Sequence, residues 1–407
     1  MYDKIKPHFK DVSNMMKKIS KKYNLLFNGY GILLDGKVVY NECNGYIDVK
    51  NKIPFSIDTV FNVSSMTKLL TAISILQLRD KKLLQLDDSI FKYIPDLKIE
   101  SYSKDSPDIT IRHLLQMFAG IDDKMSIFDY KNYNDSTILT RQINIINAPG
   151  MQYLYTIIQY DLLGLIITNV SGIPYQTYIK LNILNPLKMC NTTFDINTIN
   201  STHINKQYIK TKNNIIKLDK YEKRNNNHGA GSGLFTSLRD WFKIISFNQY
   251  AYPPRDDDEC TVLKRSSIRE MHHPFNTASS FSLNKKLESQ IKKHSKDFFY
   301  RLYCYGVFSF YDGNDINYVG HNGGGLGSTN SSWFICPKYG LGMVITTSGQ
   351  DMDDSVLTKL TYVTTDILNF LIIKTNNLTI QPYRVRNKKL LILFIISLLF
   401  IIWKLYY

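Results

Sequence analysis

Cysteine is scarce and scattered. The five residues Cys43, Cys190, Cys260, Cys304 and Cys336 form no C-x-x-C pair, which suggests neither a disulfide framework nor a zinc site. The histidines lack H-E-x-x-H or comparable ligand spacing, and the tandem His272-His273 cannot share one helical face, so no metal and no cofactor are expected. There is no Arg-rich stripe and no nucleic-acid motif. The net charge of +15 over 407 residues therefore reads as the bias of a chain rich in Lys, Asn, Ile and Tyr, compatible with acidic membrane surfaces but not pointing to nucleic acid. Gly229-Ala230-Gly231-Ser232-Gly233 lacks the G-K-[ST] ending of a phosphate loop and suits a tight turn lining a cleft. The first 24 residues lack the apolar core of a secretory signal, and Asp3 and Asp11 sit badly in a transit peptide. They predict a helix from about Lys4 to Lys22 that packs on a sheet.

The informative stretch is Phe61-Asn62-Val63-Ser64-Ser65-Met66-Thr67-Lys68-Leu69-Leu70. It contains S-x-x-K, Ser65 and Lys68, opening an apolar helix through Leu78. A serine hydroxyl is a poor nucleophile at neutral pH until a neighbour takes its proton. Residues three apart share a helical face, so Lys68 can bring its amine against Ser65 Oγ. A helix N-terminus also offers free N–H groups and a positive dipole end to a developing oxyanion. The alternative use of the same residues is an N-cap serine followed by a solvated first-turn lysine.

The remainder of the chain favours the chemical reading. The motif resembles the nucleophile motif of the serine β-lactamase and penicillin-binding-protein superfamily, in its class C and esterase-like branch. Further segments similar to that family follow in collinear order. They include Gly31–Tyr40, Gly45-Tyr46-Ile47-Asp48, Leu86-Asp87-Asp88-Ser89 with Tyr93-Ile94-Pro95, and Ile109-Thr110-Ile111-Arg112-His113-Leu114-Leu115. Pro149-Gly150 with Tyr155, Leu162-Leu163-Gly164 into Val170-Ser171-Gly172, Gly231–Ser237 and Gly320-His321-Asn322-Gly323-Gly324 complete the series.

β-rich runs flank Asp35-Gly36, a two-residue hairpin signal, and return only at Tyr305–Phe310, Trp333–Cys336 and Gly342–Thr347. Residues 65–225 are patterned as helices and loops. The fold class expected is α/β (α+β), an antiparallel sheet assembled from both ends of the chain, flanked by helices and carrying an inserted helical lobe. The resemblance implies the same architecture, with the site between the lobes. Residues 250–300 are polar and irregular, which predicts a surface insertion. The expected organisation is an N-terminal helix (1–24), a catalytic domain (25–374) closed by a helix at Val356–Lys374, a basic linker (375–389) and an apolar tail (390–407). That tail is uninterrupted from Leu390 to Trp403 apart from Ser397. As a helix it would span ~27 Å, close to a thin bilayer's core. Arg384, Arg386, Lys388 and Lys389 on its N-terminal side predict a single-pass C-terminal anchor with the catalytic lobe facing the cytoplasm.

By resemblance, Tyr155 is the tyrosine of the family's Y-x-N motif, which shuttles a proton between serine and leaving group. The motif's asparagine is replaced by Ile157, which can hydrogen-bond neither the lysine nor a substrate amide. His321-Asn322-Gly323 occupies the K-T-G position in the H-x-G form of esterase-like relatives, implying a substrate-binding role for His321. Gly323 and Gly324 let backbone approach substrate closely, and the N–H groups of Gly324 and Ser65 are candidate oxyanion donors. The expected activity is serine hydrolysis through an acyl-enzyme, with Ser65, Lys68 and Tyr155 catalytic and a small ester or peptide as substrate. An inactive scaffold of the same fold, motivated by Ile157, is the first alternative; β-lactam hydrolysis is the second.

Overall fold

An eight-stranded antiparallel sheet draws its strands from both ends of the chain. In the computed structural model residues 1–99, 102–122, 139, 143–206, 208–210, 215–217, 229–254, 261–273, 300–311, 317–324, 329–348 and 354–376 are described. The N-terminal strands are β1 (Phe27–Leu34), β2 (Lys37–Asp48) and β3 (Ile53–Pro54); β4 (Val60–Asn62) pairs outside this sheet with β5 (Phe235–Ser237). The C-terminal strands are β6 (Tyr300–Tyr303), β7 (Phe308–Tyr311), β8 (Asn317–Gly323), β9 (Thr329–Cys336) and β10 (Leu341–Ser348). The order is β6-β7-β8-β9-β10-β1-β2-β3, so β1 and β10 join the two chain ends at the sheet's centre. Asp35 and Gly36, at φ 48° and 76°, close the β1–β2 hairpin, the positive φ pair that a two-residue type I′ turn requires.

β1 is buried along its whole length because helices cover both faces. On one face lies α4 (Leu238–Gln249). Gly29 and Gly31 are small there because a Cβ at either would fall within 2.6 Å of Leu238 or Phe242. On the other face lie α1 (Phe9–Tyr23) and α6 (Asp354–Asn376). Alternation along β9 shows the two-sidedness: the Ser332 hydroxyl accepts a hydrogen bond from Thr364 of α6, while Trp333 packs edge-on against Trp241 of α4. The N-terminal helix is less continuous than its periodicity suggests. Tyr2–Ile5 and a 3-10 turn at Lys6–His8 precede α1, with Pro7 in that turn because it lacks the N–H a helix interior needs. Ile5, Phe9, Val12 and Met16 form the buried stripe.

Two expectations need correction. The strand β8, which carries His321, is not signalled by its sequence, because Gly320 and Gly323 are poor strand formers. They are used for close approach instead: a Cβ at Gly320 would lie 1.9 Å from Trp333 O. The stretch 250–300 is also more than a surface insertion. Its segment Arg265–Met271 forms α5, with Arg265, Ile268 and Met271 buried. Two of its polar residues serve the packing: Glu270 and Ser267 bind the guanidinium of Arg79 at 2.5 and 2.9 Å. Among the described residues no helix is long and apolar enough to cross a membrane; the tail at 390–407 lies outside them.

One polar cluster under α1 gives a pH prediction. Burial alone would raise the Glu42 carboxyl, but hydrogen bonds from Tyr30 (2.6 Å), Tyr40 (2.8 Å) and Asn44 hold it at about 2. Its folded value lies below the ~4.3 of an unfolded glutamate. The stabilisation is therefore complete above that pH and is lost as pH falls toward 2. Glu42→Gln is expected to cost roughly 1–2 kcal/mol at pH 7, allowing for partial solvent exposure, with the gap to wild type closing in acid. Urea unfolding of both proteins between pH 7 and pH 3 checks this; a constant gap would contradict it.

Candidate active site

Ser65 stands just beyond the end of β4, where the chain reverses into the central helix. Ser64 makes the reversal at φ 47°, with its N–H donated to Asn62 Oδ1 (2.9 Å) and its hydroxyl to Gly324 O (2.9 Å). Ser64–Thr67 form a 3-10 turn and α2 (Lys68–Asp80) begins at the lysine, so Ser65 does not sit in an α-helical first turn as the spacing alone suggests. Thr67 tightens the turn: its hydroxyl donates to Ser64 O (2.7 Å) and accepts the Leu234 N–H (3.1 Å). The tighter turn serves the motif better than an α-helix, because 3-10 side chains three apart eclipse. Lys68 Nζ accordingly lies 3.2 Å from Ser65 Oγ.

Lys68 is fully buried while Ser65 is half-buried. Residues Lys68 to Leu78 of α2 are all buried, so the lysine stem runs inside the protein with only its head at the cleft. Its Nζ donates to Gly231 O at 2.7 Å and lies 4.9 Å from the Tyr155 ring centroid and 5.7 Å from that of Tyr160. Two π faces and one carbonyl thus surround the amine beside the serine.

Tyr155 is 38 % exposed and belongs to an aromatic wall. Its ring stacks near Phe308 (6.3 Å), meets Tyr303 edge-on (5.8 Å) and lies 6.2 Å from His321. Burial pushes the phenols of Tyr160 and Tyr303 well above their usual range, so both stay neutral and act as fixed dipoles. His321, on β8, is 1 % exposed and packs 4.8 Å from Phe308, behind Tyr155 rather than in open cleft. Gly323 brings the end of β8 onto the nucleophile turn; a Cβ there would fall 2.0 Å from Val63 O. Gly324 reaches the same turn through its carbonyl, which accepts the Ser64 hydroxyl. All six residues singled out from the sequence therefore gather around one turn.

Sequence reasoning missed three contributors. The Gly231 carbonyl takes the lysine that Ile157 cannot hold. Ile157 packs against that same glycine, its Cγ2 2.7 Å from where a Cβ would lie. Tyr160 and Tyr303 complete the ring set around Lys68 and Tyr155. A glycine-rich turn predicts close approach, but a backbone acceptor leaves no side-chain signature. Tyr160 and Tyr303 are two among 28 tyrosines, and only their packing distinguishes them.

Residues 15–364 match the family described as Beta-lactamase. Protein flp of Staphylococcus aureus (strain MW2) is 36% identical over 177 residues, 42% of this chain and 35% of that protein. Penicillin-binding protein 4* of Bacillus subtilis (strain 168) is 26% identical over 194 residues, 45% of this chain and 41% of that protein. The matches span well under half the length of these curated relatives. The octameric penicillin-binding protein homologue from Pyrococcus abyssi superposes with a TM-score of 0.71 at 21% identity, over 89% of this chain and 77% of that one. The penicillin binding protein from Bacillus halodurans gives 0.64 at 17% identity, over 87% and 98%. At these identities the structures speak for the fold alone. With a match across most of its length and that shared fold, the chain belongs to the Beta-lactamase family.

Proposed function

We propose that this protein is a serine hydrolase that works through an acyl-enzyme on an ester or a peptide-type amide. The observation that carries the reading is the fully buried Lys68 amine 3.2 Å from the hydroxyl of the half-buried Ser65. In the step so arranged, Ser65 Oγ attacks the substrate carbonyl and its proton passes to the Lys68–Tyr155 pair. The oxyanion is held by the N–H groups of Ser65 and Gly324. Collapse expels the alkoxide or amine, which takes the proton, and water then hydrolyses the acyl-serine by the reverse route. His321 supports Tyr155 from behind and, with Gly323, shapes the substrate's seat. Ile157 makes one wall apolar, which favours an ester over an amide whose N–H and C=O both need partners.

The test is a fluorophosphonate probe on the full chain in detergent, read by intact mass and peptide mapping. A single adduct on Ser65 is expected; no adduct on folded protein would turn the reading to a binding protein that kept the fold.

We also propose that residues 390–407 anchor the protein in a membrane. The support is the length and apolarity of that segment and the basic residues before it. In cells the full chain is expected to stay with membranes through alkaline carbonate washing. Release into the wash would refute the anchor.

A further inference from the structure

The motif asparagine is missing, yet the lysine is held. It donates to a peptide carbonyl, and a carbonyl on a glycine turn is a useful acceptor only if the turn is fixed. The peptide that carries this carbonyl is tied within the turn, Ser232 N–H donating to Gly229 O at 3.3 Å, and Gly231 is also held from outside the turn. Its N–H donates to Asp161 Oδ1 at 3.0 Å, and Asp161, 3% exposed, projects from the first turn of α3 (Ile158–Ser171). The Asp161 carboxylate lies 3.3 Å from where a Gly231 Cβ would be, with Ile157 O at 3.1 Å, so no other side chain fits there without displacing these neighbours. The preceding residue is held as well: Ala230 O accepts the Thr71 hydroxyl at 2.7 Å, and Thr71 in turn meets Tyr175 OH at 2.8 Å.

We propose that Asp161 is a positioning residue for the catalytic lysine, acting through the glycine turn that carries the Gly231 carbonyl. The carboxylate pins the turn at the Gly231 N–H, the turn's own bonds from the Ser232 and Gly233 N–H groups to Gly229 O hold it together, and the Gly231 C=O so placed sets Lys68 Nζ against Ser65. The motif residue and its substitute lie one helical turn apart, at 157 and 161, on the face of α3 that meets the glycine turn. In this arrangement Ile157 is accommodated because the amide it displaced has been replaced by main chain.

This inference rests on the serine-hydrolase reading, and the experiment separates the two. Asp161→Asn keeps an acceptor for the Gly231 N–H; Asp161→Leu keeps the branching of the side chain and removes the acceptor. Probe labelling of Ser65 is expected to stay within about threefold of wild type in the first and to fall at least tenfold in the second. Adding Ile157→Asn to Asp161→Leu is expected to recover much of that loss, since an asparagine amide reaches the lysine directly. A merely structural role for Asp161 would give no such recovery. Equal labelling of wild type and Asp161→Leu would overturn the proposal, as would equal losses in Asn and Leu variants, which would assign the effect to charge alone. Crystal structures read the geometry whatever the activity. In Asp161→Leu, or in Asp161→Ser should the leucine variant not fold, the Gly231 carbonyl is expected to turn away from Lys68. If it stays on Nζ the proposal is wrong, even where labelling has failed in wild type and the hydrolase reading has fallen with it.

Discussion

Ser65→Ala is expected to abolish covalent labelling by acyl- and phosphonyl-type probes while leaving thermal unfolding essentially unchanged. The side chain is half-buried and accepts a hydrogen bond from Lys68 Nζ at 3.2 Å, so its loss removes a nucleophile rather than a packing element. Ser64 is the internal control. It is the neighbouring hydroxyl, but it sits at φ 47° with its hydroxyl committed to Gly324 O, and its replacement by alanine should leave the Ser65 adduct in place. An adduct that survives Ser65→Ala, or that maps to Ser64, would move the nucleophile and with it the whole assignment.

Lys68→Met is expected to slow labelling by about 10²–10⁴-fold, the usual worth of a positioned proton acceptor. Methionine copies the length and flexibility of the buried stem, so the central helix keeps its packing. What disappears is the amine 3.2 Å from Ser65 Oγ and the donor to Gly231 O. The orphaned carbonyl should also cost stability, roughly 1–3 kcal/mol if it stays buried. Labelling rate and thermal unfolding measured on the same preparation separate the two effects. A methionine variant that labels at the wild-type rate would show that Ser65 is activated by another group, Tyr155 being the nearest candidate in the wall.

The aromatic wall explains why the site can tolerate a buried lysine head. Lys68 exchanges water for one carbonyl and the faces of Tyr155 and Tyr160. The neutral phenols of Tyr160 and Tyr303 add dipoles without adding charge. His321 belongs to the same cluster through Phe308 and Tyr303. Its place behind Tyr155 makes it a support for that ring.

The sequence by itself determined the pieces whose signal is local. The Asp35-Gly36 turn is written in two residues that accept positive φ. The central helix shows in its apolar run from Leu69 to Leu78, broken only by Thr71, Ser74 and Gln77, and the pairing of Ser65 with Lys68 in a three-residue spacing. The division of strands between the chain ends was visible in where β-branched and aromatic residues cluster. Those features depend on intrinsic residue preferences and periodicity, which the linear order preserves. What only the tertiary structure decided depends on neighbours far apart in the chain. Ser65 stands on a 3-10 turn because Thr67 is bound by Leu234. The glycine-rich segment Asn317–Gly323 is a strand because β9 and the nucleophile turn leave room for nothing larger than glycine at 320 and 323. Arg265–Met271 packs onto the core because Ile268 and Met271 are buried and Glu270 and Ser267 bond Arg79 of the central helix. The lysine's main-chain partner is likewise non-local: a carbonyl at 231, on a turn whose N–H meets a carboxylate at 161, accepts from a lysine at 68. A backbone acceptor has no residue identity to read, and its direction is fixed only when the fold brings those three segments together.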